Sequence, residues 1–297
     1  MAGRRKESRS RGKQRGKRQA APRSRGRVLK SWDYLRLIGV PDLHPRTSPF
    51  DPGYDPQTVV SHLEQSSHLI SVLKISMACW QVANETATRR KVRAARRLKV
   101  PVCTGGGPFE VAATFGTLPQ FLDLCADIGV TRIEAGEGFT EQGLDPREII
   151  RMAEERGLDV QFEVGKKHGG TFTADVVQDL VDQGLRWLDV GAKEIVVEGR
   201  ESAQNVGLFD GAGSLNVGFA ERFVAAYGMD HVVFEAPNKP SQFALLNHFG
   251  PVVQLSNVRL EELLRVEIYR RGLHSDAFQH DNLRPRGPAS RGVSEPR

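Results

Sequence analysis

Apolar runs rich in valine and isoleucine return at nearly fixed intervals, and this repeat constrains the fold more than any other feature. The runs are HLISVLKIS from His68, VPVCTGG from Val100, VTRIEAGEG from Val130, DVQFEVGKK from Asp159, EIVVEGRES from Glu194, HVVFEAPNK from His231 and PVVQLSNV from Pro251. Their starts lie 20 to 37 residues apart, mostly near 30. Helix-like segments fill the gaps. TLPQFLDLCADIG puts Leu118, Phe121, Leu122 and Cys125 on one face. DPREIIRMAEERGL opens with Asp145 as a cap, Pro146 in the first turn and Glu148 three residues after the cap. ADVVQDLVDQGLRWLDVGA and NVGFAERFVAAYG follow, and several of these segments end at glycine.

Strand, helix and strand again at this period is the pattern of βαβ units. The strands are apolar on both faces, as parallel strands covered by helices must be. Seven are visible. An eighth is expected at HPRTSPFD, residues 44–51, although its two prolines give it poor strand propensity. Eight units predict an α/β fold of the (β/α)8 TIM-barrel type. The rival, an open doubly wound sheet, lacks a GxGxxG turn to support it.

Charge divides the chain. Residues 1–30 hold 13 Lys or Arg against the single acid Glu7, a net of +12, while the remainder holds 29 basic and 35 acidic residues, a net of −6. The first segment has no apolar periodicity and is expected to be a disordered basic tail. Residues 31–278 form the barrel domain, and 279–297, QHDNLRPRGPASRGVSEPR, read as a flexible C-terminal tail. The basic tail is either a weak polyanion contact or a solvated extension. No run approaches the ~18 apolar residues of a membrane span, nor the apolar stretch of a signal peptide. Cys79, Cys103 and Cys125 show no CxxC spacing. They read as small buried hydrophobes in a reduced, cytoplasmic setting.

Four consecutive strands carry one local pattern, an apolar residue followed by glutamate: Ile133-Glu134, Phe162-Glu163, Val197-Glu198 and Phe234-Glu235. In a barrel these strand ends converge on one mouth, with Glu137 and Glu201 near its rim. Gathered carboxylates repel each other unless positive charge sits among them. Lys74, Lys166, Lys167, Arg200 and Lys239, all at or just past strand ends, are candidates. So is a hard divalent cation such as Mg2+, which takes oxygen ligands and one or two carboxylates. The plainer alternative is a set of salt bridges that closes the mouth. TGGGPFE, residues 104–110, offers the backbone N–H groups of Gly105 and Gly106 to an anion, or is simply a tight turn. There is no HExxH spacing for zinc and no GxSxG nucleophile elbow. His168 is as fit for an exposed loop as for a pocket.

The segments GGGPFEVA, RIEAGEG, FEVGKK, VVEGRESAQNVGLFD, VVFEAPNKPSQ, FGPVVQLSNV and RRGLHSDAF occur in the order and spacing of the phosphosulfolactate synthases. The chain resembles that family over roughly residues 40–280. The resemblance implies a (β/α)8 barrel and a magnesium-dependent, carbon–sulfur lyase-class reaction. In it, sulfite adds to phosphoenolpyruvate to give (2R)-2-O-phospho-3-sulfolactate. It implies Lys167, the second lysine of FEVGKK, as the acid that protonates the intermediate, with Lys166 beside it and Glu163 helping to bind the metal or orient a ligand. Glu134, Glu198 and Glu235 become the metal ligands. Lys74 and Arg200 become anion clamps, and Glu201, Gly105, Gly106, Lys239 and Asn257 complete the substrate site. A lysine acid would need its pKa lowered by burial or nearby cations. The expected partners are phosphoenolpyruvate and sulfite or another nucleophile, with homo-oligomerisation left open.

The resemblance has gaps. Typical members carry KFGWGT where this chain has KISMAC, PGGT where it has TGGG, and EISDG where it has EAGEG with Glu137. RESG is RESA at Ala203, and the first-strand motif survives only around Asp51. The changes gather in strands one to four. They admit a divergent barrel enzyme that adds another nucleophile to a phosphorylated or carboxylated acceptor. They also admit a non-enzymatic role like that of the stress-related plant homologues.

Overall fold

In a computed structural model that describes residues 29–287, eight parallel strands close into a barrel in chain order, β1 to β8. A short helix α1 (Ser31–Leu37) precedes β1 (Thr47–Asp51). Then follow α2 (Pro56–Ser66), β2 (Leu73–Ile75), α3 (Cys79–Val82), α4 (Glu85–Arg97) and β3 (Val102–Thr104). Next come α5 (Gly106–Thr114), α6 (Leu118–Ile128), β4 (Arg132–Gly136), α7 (Pro146–Glu154) and β5 (Asp159–Val164). The chain continues through α8 (Ala174–Asp189), β6 (Ile195–Val197), α9 (Val217–Tyr227), β7 (Val232–Glu235), α10 (Lys239–Phe249), β8 (Gln254–Arg259) and α11 (Leu263–Arg270). The (β/α)8 architecture read from the apolar repeat is the one observed.

The apolar–glutamate pattern is explained by strand alternation, which sends successive side chains to opposite faces. Phe162 points outward and stacks on Trp187 of α8 with ring centroids 4.2 Å apart; Phe234 stacks on Phe249 of α10 at 5.7 Å. Their neighbours Glu163 and Glu235 therefore face the barrel interior. Gln161, two residues before Glu163, faces the same way and donates to Glu134 Oε2 at 2.8 Å. The outer apolar layer between strands and helices is the core; Ile133, Phe162, Ile195, Phe234 and Leu255 are essentially solvent-free.

Residues 44–51 do supply the first strand, despite Pro49. β1 pairs with both β2 and β8, and its register against β8 shifts between Thr47 and Pro49. That irregularity accommodates a residue with no N–H to give. A buried polar cluster seals the same seam. Thr47 Oγ1 donates to Glu267 Oε1 at 2.5 Å, and Arg270 contacts Glu267 at 3.1 Å and the carbonyls of Pro251 and Val253 at 2.7 Å. On the other flank Lys91 of α4 meets Asp51 at 2.7 Å, with both side chains buried.

Cys103 and Cys125 are buried and Cys79 is partly so, all as free thiols. Packing continues past residue 278. Leu283 is buried, and Gly287 N and Arg286 N donate to the carbonyls of Ile38 and Gly39. Residues 1–28 and 288–297 lie outside the described residues, and with them almost all of the basic tail. No helix among the described residues is long and apolar enough to cross a membrane.

Candidate active site

A cavity of about 770 Å³ opens where the strands end, and each of the eight strands contributes to its wall through its own residues or the segment that follows it. Of the residues put forward from sequence, Lys74, Glu134, Glu163, Lys167, Glu198 and Glu235 line it, as do Gly105, Gly106, Arg200, Glu201 and Asn257. Lys166 and Lys239 do not. The Lys166 ammonium turns away to the carbonyls of Glu137 and Thr140, at 2.8 and 3.2 Å, because Lys166 and Lys167 are consecutive in a turn and diverge. Lys239 begins α10 and lies over the Phe243 ring, 3.8 Å from Asp276. Glu137 is likewise not free at the rim: it accepts the backbone N–H groups of Gln142 and Gly143 at 3.1 and 2.9 Å and shapes their loop.

The interior carboxylates divide into two sets. Glu134 pairs with Lys74 at 2.7 Å and takes Gly106 N–H at 2.9 Å on the same oxygen, while Gln161 takes the other. Both its oxygens are committed. Lys74 also donates to Asn257 Oδ1 at 3.1 Å and lies 3.7 Å from Glu235. Glu163, Glu198 and Glu235 form the second set, each offering an oxygen within 4.8 Å of the others. Lys167 Nζ lies across this set, 2.7 Å from Glu163 Oε1 and 2.8 Å from Glu198 Oε2. The acids that can share a cation are therefore Glu163, Glu198 and Glu235. Glu134, expected among the ligands, is held by Lys74 and Gln161 instead.

Four buried carboxylates share two buried or half-buried ammonium groups, which leaves excess negative charge. The titration shifts follow. Glu198 is pushed up to about 10 by burial and by the neighbouring Glu235 and Glu163, with Lys167 opposing. Glu134 is raised by burial, against the pull of Lys74. Burial also works against ionisation of Glu163, but Lys167 and Lys74 outweigh it and hold this carboxyl below its ordinary value. Burial would depress Lys167, yet Glu163 and Glu198 overcome it and the ammonium stays above its usual range. The expectation of a lowered lysine pKa is thus corrected: its nearest charges are anions, not cations. Three hard-oxygen donors with uncompensated charge suit a divalent cation such as Mg2+.

The wall above the acids is asymmetric. On the β6 and β8 side stand Arg200 and Arg259, the latter over Phe50 and bonded to Glu261 at 2.6 Å. On the β2 to β4 side stand Met77, Val111 and Phe139, all substantially exposed to the opening. Met77, Arg200 and Asn257 have φ of 50°, 54° and 53°, a left-handed conformation that costs non-glycine residues energy and that gathers at functional sites. The N-terminus of α5 also borders the cavity through Gly105, Gly106 and Gly107; its N-cap residue is a glycine with no side chain to give, and Glu134 takes the Gly106 N–H.

Sequence reasoning missed Arg259, the apolar rim and Glu110. The signal for Glu110 was present: it is the only charged residue of α5, and it is fully buried. Its Oε2 accepts from Phe139 N, Thr140 N and Thr140 Oγ1 at 3.0, 3.0 and 2.9 Å.

Residues 42–276 match the model of a protein family described as (2R)-phospho-3-sulfolactate synthase (ComA). The phosphosulfolactate synthase of Methanocaldococcus jannaschii is 30% identical over 229 residues, 77% of this chain and 91% of that protein. The enzyme of the same name from Methanothermobacter thermautotrophicus is 28% identical over 86% of this chain and all of its own length. That of Bacillus subtilis is 22% identical over 77% of this chain and 90% of its own.

Proposed function

The chain belongs to the (2R)-phospho-3-sulfolactate synthase family, and from that premise we propose that it adds sulfite to phosphoenolpyruvate to give (2R)-2-O-phospho-3-sulfolactate. The observation that carries the reading is one ammonium, Lys167, held at 2.7 and 2.8 Å by two carboxylates inside the cavity that Arg200 and Arg259 overlook.

The sulfur lone pair of sulfite forms a bond to the methylene carbon. The carbon–carbon π pair shifts toward the substrate carboxylate, and a proton then reaches the adjacent carbon. Arg200, Arg259 and the Gly105–Gly107 turn at the start of α5 hold the phosphate and carboxylate, whose charges would otherwise repel the glutamates. Lys167 Nζ delivers the proton from one face, which sets the configuration of the product. It becomes an effective acid only when the charge of Glu163 and Glu198 is offset. Mg2+ on Glu163, Glu198 and Glu235 would supply that offset and stabilise negative charge on the substrate carboxylate. Lys74 and Asn257 fix the orientation of Glu134 and Glu235 from below.

The test is purified full-length protein with phosphoenolpyruvate, sulfite and Mg2+, followed by phosphorus NMR. A new phosphate-ester resonance that grows as phosphoenolpyruvate disappears supports the reading; an unchanged spectrum overturns it. A second reading is favoured by the apolar rim. Met77 stands in the segment that replaces the family's KFGWGT, Val111 and Phe139 follow the segments that replace PGGT and EISDG, and the three suit a nucleophile that carries a hydrocarbon group. Turnover with an organic thiol but not with sulfite would select it. Protein that binds neither Mg2+ nor phosphoenolpyruvate would select a non-enzymatic role.

A further inference from the structure

Lys167 occupies the space between Glu163 and Glu198, and those two acids belong to the triad suited to a cation. An ammonium and a divalent ion cannot share that space, since at a few ångströms their repulsion is large even at an effective dielectric near 20. If the ion is to bind, the ammonium must go elsewhere without leaving its charge uncompensated in a half-buried place.

The neighbourhood of the Lys167 stem contains one unused acceptor. Glu110 Oε1 is buried and has no hydrogen-bond partner among the described residues, although Oε2 of the same carboxylate takes three donors. A buried acceptor left unpaired is costly and rare. Gly138 separates it from the lysine. The point where a Cβ would stand on Gly138 is 3.1 Å from Lys167 Cγ, 3.2 Å from Lys167 Cε and 3.3 Å from Glu110 Oε1. The missing side chain thus lets the lysine stem and the carboxylate oxygen both approach Gly138 more closely than a methyl group would permit. The stem is anchored there, because Lys167 N–H donates to Gly138 O at 2.8 Å. Nζ is one bond beyond Cε, the stem atom that borders this close approach.

We propose that Glu110 is a positioning residue for Lys167: it receives the ammonium across Gly138 when Glu163 and Glu198 turn to a divalent cation. Cation binding then moves the proton source from among the acids to the wall between β4 and α5. The triad is free for the ion, and Lys167 is held at the side of the substrate space. This rests on the reading that the triad binds a cation.

The test is a double-mutant cycle on Mg2+ affinity, measured by titration calorimetry on the full chain without substrate. Glu110→Gln keeps one oxygen for the Phe139–Thr140 turn and should raise the Mg2+ Kd about tenfold, within the coupling range of neighbouring groups. Lys167→Met removes the ammonium that has to be displaced and should tighten Mg2+ binding. In the Lys167→Met background, Glu110→Gln should change the Kd little. Gly138→Ala puts a methyl between the lysine stem and Glu110 Oε1, keeps the Glu110 carboxylate itself and should weaken binding as Glu110→Gln does, which keeps the question answerable if Glu110→Gln folds poorly. Equal loss from Glu110→Gln with and without Lys167 would mean an ordinary structural or long-range charge effect and would overturn the proposal. So would unchanged affinity in both Glu110→Gln and Gly138→Ala. If neither wild type nor Lys167→Met binds Mg2+, the cation reading itself fails, and this inference falls with it.

Discussion

Lys167 and Glu198 show how a few contacts set the behaviour of the site. Lys167→Ala should lower turnover by about 10²- to 10⁴-fold, the usual range for a lost acid, while phosphoenolpyruvate binding is largely retained; steady-state and equilibrium binding measurements separate the two. Glu198 makes a signed prediction about pH. Its folded pKa, about 10, lies above that of an ordinary carboxyl, so the folded chain keeps a proton that the unfolded chain releases. The contribution is favourable at low pH and is lost as pH rises from the ordinary carboxyl range through about 10. Glu163 has the opposite sign: its lowered value favours the folded state at neutral pH, and that gain is lost on acidification below its ordinary value. With chelator present, the melting temperature should therefore decline between pH 6 and 9, and Glu198→Gln should flatten the decline. An equal decline in the variant would show that another group is responsible. The four glutamates were legible at this scale because strand alternation alone puts them on one side. Which of them pair with lysine was not, because that depends on Gln161 and on where the stems of Lys74 and Lys167 lie.

The β6-to-α9 segment shows why elements, rather than single residues, hold the acids in place. Gly207 has φ of 56°, and a Cβ there would fall 2.2 Å from the Glu198 carbonyl oxygen. The segment thus presses directly on the strand end that carries Glu198, while Arg200 N–H donates to Glu198 and Glu235 and Gly199 N–H donates to Glu235. Gly207→Ala should cost about 1–3 kcal/mol, the range for an overpacked site, and weaken Mg2+ binding, seen as a lower melting temperature and a raised Kd. At the β1–β8 seam, Arg270→Ala leaves Glu267 buried with one cation fewer. It should destabilise the chain by about 3–5 kcal/mol with little change in the KM of the folded fraction. Every strand could be located from its apolar run, and β1 from count and spacing against its own propensity. The sequence signal weakened at turns. Lys166 and Lys167 are adjacent in the chain, yet only one enters the cavity, because a turn sends consecutive side chains to different sides. Lys239 was misplaced for a similar reason: it is the first residue of α10 rather than the last of a strand end.

The whole molecule separates a mildly acidic barrel from an N-terminal segment of opposite charge. Removing residues 1–28 should leave turnover and melting temperature unchanged while abolishing salt-sensitive retention on heparin, if the tail makes a polyanion contact. Retention that survives the deletion would place the contact on the barrel. Closure has a further meaning for the chain's connectivity. The hydrogen bonds from Gly287 and Arg286 to Ile38 and Gly39 bring the entry and exit of the barrel into contact. The order in which the eight units are strung is then partly a matter of where the thread is cut. A circularly permuted protein, with residues near 29 and 287 joined by a short linker and new ends opened at Gly157, should rebuild the same ring and the same acid cluster.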